Sequence, residues 1–329
     1  MPQEPIERAF QTPSPARLIL ASISGTVDIQ TGDEGVITVT AAKQDNGDVE
    51  HTRIEMSQDE TGAVTIKTEY GESFWRFFGQ RPCDVAYTVR APRNTALTLK
   101  CVSSTATVNG LSGQFDISTI SGDLALADLA GPIKINLVSA TLKAEKLAGA
   151  GEITTVSGKV ALAGCNFPSL KLSTVSGAVT IETPLGEGPY DFHTISGDTQ
   201  LSVQSSAGCA VDFSTLSGRF TSNLPTTHSQ QSGRNCHLQL QGGGAAVKFD
   251  SISANLDIHS AQSPVATEVV MKSLMPVSAP PAPISPSAPA AGSAPDVAIA
   301  SAAKARQDIL DRVAQGQLSV DEAVNMLRG

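Results

Sequence analysis

The sequence predicts a mainly β fold, a single-chain β-solenoid built from coils of about 18–21 residues. The first observation is a pattern, clearest in Phe115–Leu126, in which alternating apolar and polar residues lead to a Thr-apolar-Ser-Gly corner. This pattern returns at steps of 18, 18, 19, 20 and 21 residues, centred on Ser121, Ser139, Ser157, Ser176, Ser196 and Ser217. The second observation is the composition, with 28 Gly and only 4% aromatic residues. Narrow coils need Gly at their corners and small or β-branched residues inside.

The chain begins with a flexible lead-in over residues 1–15 and enters the solenoid domain, 16–260, with a copy of the pattern around Ser24. Residues 16–96 then lose the regular step, although 36–40, 64–68 and 85–89 alternate with the period of a β-strand. We therefore predict that 16–96 forms an irregular cap, with antiparallel strands, at the N-terminal end of the solenoid. Repeat arrays need such caps because a bare terminal coil exposes an unpaired strand edge.

Regular coils are predicted over 97–260. Aligned coil by coil, one column is always apolar and is expected inside, with Ile117, Ile135, Ile153 and Leu172 as its members. The neighbouring outer column alternates in sign, through Asp116, Lys134, Glu152 and Lys171. The repeated Thr position is followed by a second apolar position, which breaks the alternation and indicates a bend or bulge. This interpretation fails if the four interior residues lie on separate sheets or point outward.

The rest of the chain has a different composition. Residues 261–301 are rich in Pro, Ala and Ser and are predicted to be a disordered linker. Residues 302–329 are predicted to form a small helical hairpin, whose second helix opens with the capping box Ser319–Glu322. Two helices this short need to pair with a second copy, dock on the solenoid or meet a partner. The residues predicted to mediate this association are Ile309, Leu310, Val313, Leu318, Val324 and Leu327.

One segment of the cap region, 71–82, concentrates aromatic and basic residues and contains the only Trp of the chain. Its candidate contact residues are Phe74, Trp75, Arg76, Phe77, Phe78 and Arg81. One interpretation is that these rings plug the N-terminal end of the solenoid. The other is an exposed loop that enters a membrane interface or a groove of a partner, where Trp and Arg are typical anchors.

The remaining side chains do not form a recognisable catalytic, cofactor or metal motif, and we predict a protein that is not an enzyme. A net charge of −9 without a basic cluster argues against nucleic-acid binding. The five cysteines contain no CxxC pair, and the five histidines lack metal-ligand spacing. Two acids, Asp191 and Asp212, are predicted neighbours in the outer column, where they could approach each other, and the favoured interpretation is a solvated end of the charged column or an adventitious cation site. With no apolar leader and no apolar run of 18 residues, the expected location is the cytoplasm, either free or peripheral to the membrane.

The repeated Thr-[Ile/Val/Leu]-Ser-Gly units and the strand end Val89–Pro92 resemble the bacterial "putative adhesin" repeat family of unknown function, over about residues 16–260. That resemblance implies a β-solenoid and supplies no catalytic residue. The segment Ile309–Leu327 resembles short helical-hairpin modules of envelope-stress proteins, which implies a role in oligomerisation or docking. The predicted function is thus a non-enzymatic scaffold or binding module. The alternatives are a polymerising cytoskeletal element of the bactofilin kind and, third, a β-helix enzyme acting on carbohydrates.

Overall fold

The computed structural model describes residues 4–70, 82–204, 208–232 and 235–260, and in these ranges the chain forms strands joined by short turns. The strands of the N-terminal part are β1 (Ile6–Gln11), β2 (Ala16–Thr31), β3 (Val36–Lys43), β4 (Thr52–Gln58), β5 (Val64–Tyr70) and β6 (Val85–Ala91). Five long strands follow, β7 (Thr95–Asn109), β8 (Phe115–Ala127), β9 (Ile133–Glu145), β10 (Gly151–Ala163) and β11 (Leu170–Glu182). The C-terminal strands are β12 (Tyr190–Ser196), β13 (Thr199–Val203), β14 (Cys209–Thr215), β15 (Phe220–Ser222), β16 (Thr226–Ser232), β17 (Asn235–Leu240), β18 (Ala245–Ser253) and β19 (Leu256–Ser260).

The predicted solenoid is confirmed in the central coils, where β7 to β11 stack in parallel and in register. Each long strand bends halfway and supplies two sides of its coil. The third side is short and is held by a ladder of single bridges through Asn94, Ser112, Ala130, Ala148 and Asn166. Each coil therefore has three sides around one apolar interior.

The interior column is buried as predicted, with Ile117, Ile135, Ile153 and Leu172 each at most 1% exposed. All four lie in neighbouring strands of one sheet, in direct register. Gly151 leaves room in a neighbouring interior column, because a Cβ there would lie 2.8 Å from Leu170 Cδ1 and 3.1 Å from the Phe167 ring. The third side adds its own buried column, formed by Leu111, Leu129, Leu147 and Cys165.

The bend predicted from two adjacent apolar columns is a bulge repeated in every coil. Pairing runs from Thr119–Leu137 directly to Ser121–Ser139 and omits the residue between them. The same position is omitted between β9, β10, β11 and β12. The Thr side chain stays on the inner face, while the omitted apolar residue joins a separate cluster outside the main core.

At the N-terminal end, β2 stacks in parallel on β7, although 63 residues separate them in the chain. The other edge of β2 pairs in parallel with β5 and β6. Beyond these lie antiparallel strands, β4 on β5, and β3 followed by β1 on β6. The predicted irregular cap is therefore present and closes this end with antiparallel strands.

The C-terminal end differs from the simple stacking that the sequence predicted. The coil around Ser217 does not follow the coil around Ser196. Instead, β18 lies between β12 and β14, and β19 lies between β13 and β15. The intervening chain makes the hairpin of β16 and β17, which pairs antiparallel with β14 and closes the end. The last strands of the domain, β18 and β19, therefore form a coil that lies before the coil of β14 and β15 in the stack.

Several predictions fall outside the described residues. These are the aromatic segment with Phe74, Trp75, Arg76, Phe77, Phe78 and Arg81, the linker 261–301 and the tail hairpin 302–329. They stay predictions.

Candidate functional site

The candidate site is the outer surface of the repeated bend, which we call the corner groove. Its floor is the column of apolar residues omitted from the strand pairing. In spatial order along the stack, the column consists of Ile23, Val102, Ile120, Val138, Val156, Val175, Ile195, Ile252 and Leu216. Because stacked strands lie about 4.8 Å apart, this column is a continuous apolar line parallel to the solenoid axis.

The floor of the corner groove is closed in its middle and open toward the C-terminal end. Ile120, Val138 and Val156 are 2%, 4% and 8% exposed and pack on one another. Ile195, Ile252 and Leu216 are 47%, 51% and 58% exposed. These three lie in consecutive coils, and they are three of the four large aliphatic residues that are exposed among the described residues.

Polar and charged side chains form the rim of the open part. Together with Val156, Val175, Ile195 and Ile252 they line a cleft of about 520 Å³. On the rim, Asp250 forms an ion pair with Lys248 Nζ at 3.0 Å, and His193 Nδ1 lies 3.4 Å from Asp250 Oδ2. The hydrogen bond and the charge of Asp250, followed by the charges of Asp191 and Asp212, raise the pKa of Lys248. The rim is therefore a connected network of charges beside an apolar floor.

The outer charged column alternates in sign from Asp116 to Asp212, which the sequence order alone did not show. Lys134 pairs with Glu152 at 3.5 Å, and His237 pairs with Asp212 at 2.5 Å. The prediction that Asp191 and Asp212 are neighbours in this column is wrong, because the inserted strand β18 places Lys248 in register between them. The spatial order is Asp116, Lys134, Glu152, Lys171, Asp191, Lys248, Asp212 and His237.

A charge-reversing substitution of Lys248 tests whether β18 lies between β12 and β14. We expect Lys248→Glu to lower the melting temperature, because it places three carboxylates in adjacent coils and removes the lysine that pairs with Asp250. The loss should shrink as salt screens the exposed charges. Thermal unfolding at low and high ionic strength measures it. The control is Lys159→Glu, since Lys159 is exposed and its register neighbours are Thr141 and Ala178. Equal and salt-independent losses in both variants would contradict the placement of β18.

A second, polar pocket of about 380 Å³ lies at the N-terminal end of the same bend. Its lining includes Ser24, Ser103, Ser104 and Asp84. The carboxylate of Asp84 is already engaged, because Ser24 Oγ donates to Asp84 Oδ1 and Asn46 Nδ2 donates to Asp84 Oδ2 at 2.6 Å. The pocket therefore has a polar lining in which the acid is held by its own neighbours.

Among the described residues, the titratable groups do not assemble a recognisable catalytic centre. Burial raises the pKa of the Cys101 thiol to about 12 and that of the Cys209 thiol to about 11. These thiols stay protonated at neutral pH and are poor nucleophiles. In the part of the chain that the structure describes, no three His, Cys, Asp or Glu side chains group as a metal site would require. Within the same ranges, no helix has the length and apolar character needed to cross a membrane.

The sequence does not by itself identify the corner groove as a site. Its second apolar column predicts a bend, and the structure confirms the bend. The available signal was that the column stays aliphatic in every coil, including Ile195, Leu216 and Ile252 near the C-terminal end. Periodicity alone does not distinguish an aliphatic residue buried in a bend from one exposed on its outer surface.

Comparison with known proteins gives one family. The family model described as Toastrack DUF4097 matches residues 16–259. A search of curated proteins found no match.

Solved structures that resemble the chain come from several bacteria. A "putative cell adhesion protein" from Clostridium sporogenes is 12% identical, with a TM-score of 0.26, over 78% of this chain and 100% of that one. A "putative adhesin" from Bacteroides fragilis is 11% identical, with a TM-score of 0.39, over 79% and 98% of the two chains. A "putative adhesin" from Parabacteroides distasonis is 12% identical, with a TM-score of 0.32, over 78% and 97%. Likenesses this low carry no function over to this chain.

Proposed function

The chain belongs to the Toastrack DUF4097 family, whose model covers most of its length, and from this premise we propose that it is a non-enzymatic binding scaffold. The solenoid presents the corner groove as its recognition surface, and the occupant is an apolar segment of a protein partner. The tail 302–329 mediates partner docking or self-association. A link of this tail to envelope stress is supported only by the resemblance of its sequence.

The observation that carries the proposal is the exposed row of Ile195, Ile252 and Leu216, each about half exposed. Soluble monomers seldom leave large aliphatic side chains adjacent and open to water unless the patch binds something. The charged rim beside the row contributes orientation and specificity more than affinity. Burial of the exposed half of each side chain would stabilise a complex by about 1 kcal/mol per residue.

Two structural features support this function over the alternatives. End-to-end polymers of the bactofilin kind need bare terminal coils, whereas antiparallel strands close both ends of the stack in the described ranges. An enzyme acting on carbohydrates needs two carboxylates that flank the scissile bond of the sugar. Asp191 and Asp212 lie two coils apart, and the position in register between them is taken by Lys248.

The proposal is tested with the full chain carrying Ile195→Ser, Leu216→Ser and Ile252→Ser, which we call the groove triple variant. The wild-type chain is immobilised, and the proteins it retains from a lysate of its own host are identified and then titrated as purified partners. We expect the groove triple variant to bind a true partner about a hundredfold more weakly, since about 3 kcal/mol of apolar contact is lost. Circular dichroism should show an unchanged fold, because all three side chains lie outside the core.

The matched control is Ile6→Ser. Ile6 is the fourth exposed large aliphatic residue in the described ranges, at 41% exposure, and it lies at the opposite end of the stack. It should retain full binding. A partner that binds the groove triple variant and the wild-type chain equally would refute the corner groove as the recognition surface.

A further inference from the structure

Building on the proposed function, we propose that in the absence of a partner the corner groove is occupied by the chain's own tail. The occupant is the second predicted helix of the tail, with Val320, Val324 and Leu327 seated on Ile195, Ile252 and Leu216. A partner would then have to displace the tail, which makes the tail an autoinhibitory segment.

The spacing of the groove suits a helix that lies along the solenoid axis. Successive coils repeat about every 4.8 Å, so Ile195, Ile252 and Leu216 span about 10 Å. A helix rises about 1.5 Å per residue, so residues i, i+4 and i+7 on one face also span about 10 Å. Val320, Val324 and Leu327 have this spacing. Each turn of the helix therefore meets one coil of the groove, in the helix-in-groove mode of peptide recognition.

The charges favour one direction of the helix over the other. Asp321 and Glu322 lie at its N-terminus and Arg328 at its C-terminus. With Val320 over Ile195, Asp321 and Glu322 lie between the coils of Asp191 and Lys248, and Arg328 lies beside the coil of Asp212. In the reverse direction the two acids would lie between the coils of Asp212 and Lys248, and Arg328 would lie toward the coil of Lys171. The acids meet one lysine and one aspartate coil in either case, so the charge of Arg328 decides for the first direction.

The connection between domain and tail is long enough for docking within one chain. The described chain ends at Ser260, in the same inserted coil that carries Ile252, and the linker 261–301 follows. The composition of the linker predicts a disordered chain, for which this length gives an end-to-end distance of about 35 Å, and its Pro content would lengthen it. The groove from Val156 to Leu216 measures about 19 Å. Every part of the groove is therefore within reach of the tail.

Because the tail is tethered to the domain, even a weak contact between tail and groove is sufficient to keep the groove occupied. A flexible linker gives a tethered ligand an effective concentration of order 1 mM. A tail with an intrinsic Kd of about 0.1 mM would therefore be docked in about nine of ten molecules. A partner that binds more tightly could still displace it, as a regulated binding surface requires.

The test is disulfide trapping in the full chain with Cys236→Ser, because Cys236 is partly exposed and the other four cysteines are buried. The trapping pair is Ile252→Cys with Val324→Cys. We expect mild oxidation to give a disulfide within one chain, independent of protein concentration, as seen by non-reducing electrophoresis and peptide mass spectrometry. The control pair is Thr180→Cys with Val324→Cys, since Thr180 is exposed on β11 outside the corner groove. It should form little disulfide.

Three outcomes would overturn the proposal. Equal trapping of the control pair would mean that the tail only collides with the surface at random. Trapping mainly between chains would make a second copy the occupant. Preferential trapping of Ile195→Cys with Leu327→Cys over Ile195→Cys with Val320→Cys would reverse the direction of the helix.

A second measurement avoids cysteine substitution. Hydrogen exchange at the amides of residues 319–328 should be about tenfold slower in the wild-type chain than in the groove triple variant, which follows from nine-tenths occupancy. Equal exchange in the two chains would overturn tail docking while leaving the proposed function intact if a purified partner still needs the groove residues. Conversely, if a partner binds equally to the trapped and the reduced protein, the tail docks but the groove is not the partner site, and the proposed function fails.

Discussion

Replacing Phe249 with Ala is expected to lower the free energy of unfolding by about 3–5 kcal/mol. Phe249 is fully buried in the inserted strand β18, in register with Phe192 on one side and Phe213 on the other. Its ring stacks on Phe213 with centroids 5.5 Å apart and planes 14° from parallel. Truncation leaves a cavity in the coil that joins the end of the solenoid to the rest. Chemical denaturation followed by far-ultraviolet circular dichroism measures the loss.

The control is Phe220→Ala. The Phe220 ring also contacts Phe213, with centroids 5.9 Å apart, but this side chain is only partly buried at the end of the stack. We expect it to lose about 1–2 kcal/mol, because less apolar surface returns to water. If Phe249→Ala costs no more than Phe220→Ala, Phe249 does not lie at the centre of an inserted coil.

Replacing Gly197 with Ala is expected to cost about 2–5 kcal/mol, from two sources. Gly197 has a φ of +123°, in the region where a Cβ is strained by about 1–2 kcal/mol. A Cβ there would also lie 2.1 Å from the carbonyl oxygen of Gly177 in the coil below. The backbone of that coil would have to move, at a further cost of about 1–3 kcal/mol. Denaturant unfolding of the two proteins gives the difference directly.

Gly242→Ala separates the two sources. Gly242 has a φ of +84°, but no atom lies within 4 Å of a Cβ built there. This variant should lose only the conformational part, about 1–2 kcal/mol. Ala140 shows that a methyl group fits a corner whose backbone is different, since it occupies the same repeat position without a positive φ. Equal losses for Gly197→Ala and Gly242→Ala would mean that the coils are not in contact at the corner.

Much of the fold followed from local pattern. The interior column through Ile117 and Ile135, the outer charges and the bend each depend on which side of a pleated strand a residue faces. Alternation within twelve residues determines this, and repetition makes the assignment consistent from coil to coil. The irregular N-terminal cap was predicted for the complementary reason, since 16–96 contains strand patterns but lacks the step.

The order of the coils at the C-terminal end could not be predicted from local sequence pattern. The sequence order Lys171, Asp191, Asp212 appeared to break the alternation of charges, and the structure restores it by inserting Lys248. The unit at Val247–Ile258 carried a relevant signal, because it places Phe249 and Lys248 in the columns of Phe192 and Asp191. Proximity in sequence favoured the coil around Ser217 as the neighbour of the coil around Ser196. The inserted order is nevertheless possible, because the entropic cost of closing a loop grows only slowly with its length and a long hairpin excursion costs little.

The same distinction between local pattern and tertiary structure applies to the candidate site. Sequence alone determined that the column Ile195, Leu216 and Ile252 is aliphatic and that a bulge accompanies it. Only the tertiary structure decided that these three side chains are neighbours, that they open to water and that charges flank them. The physical reason is that a backbone edge accepts any strand of matching pattern. The choice among equivalent coils, and with it the exposure of each side chain, is therefore made by packing between segments distant in the chain.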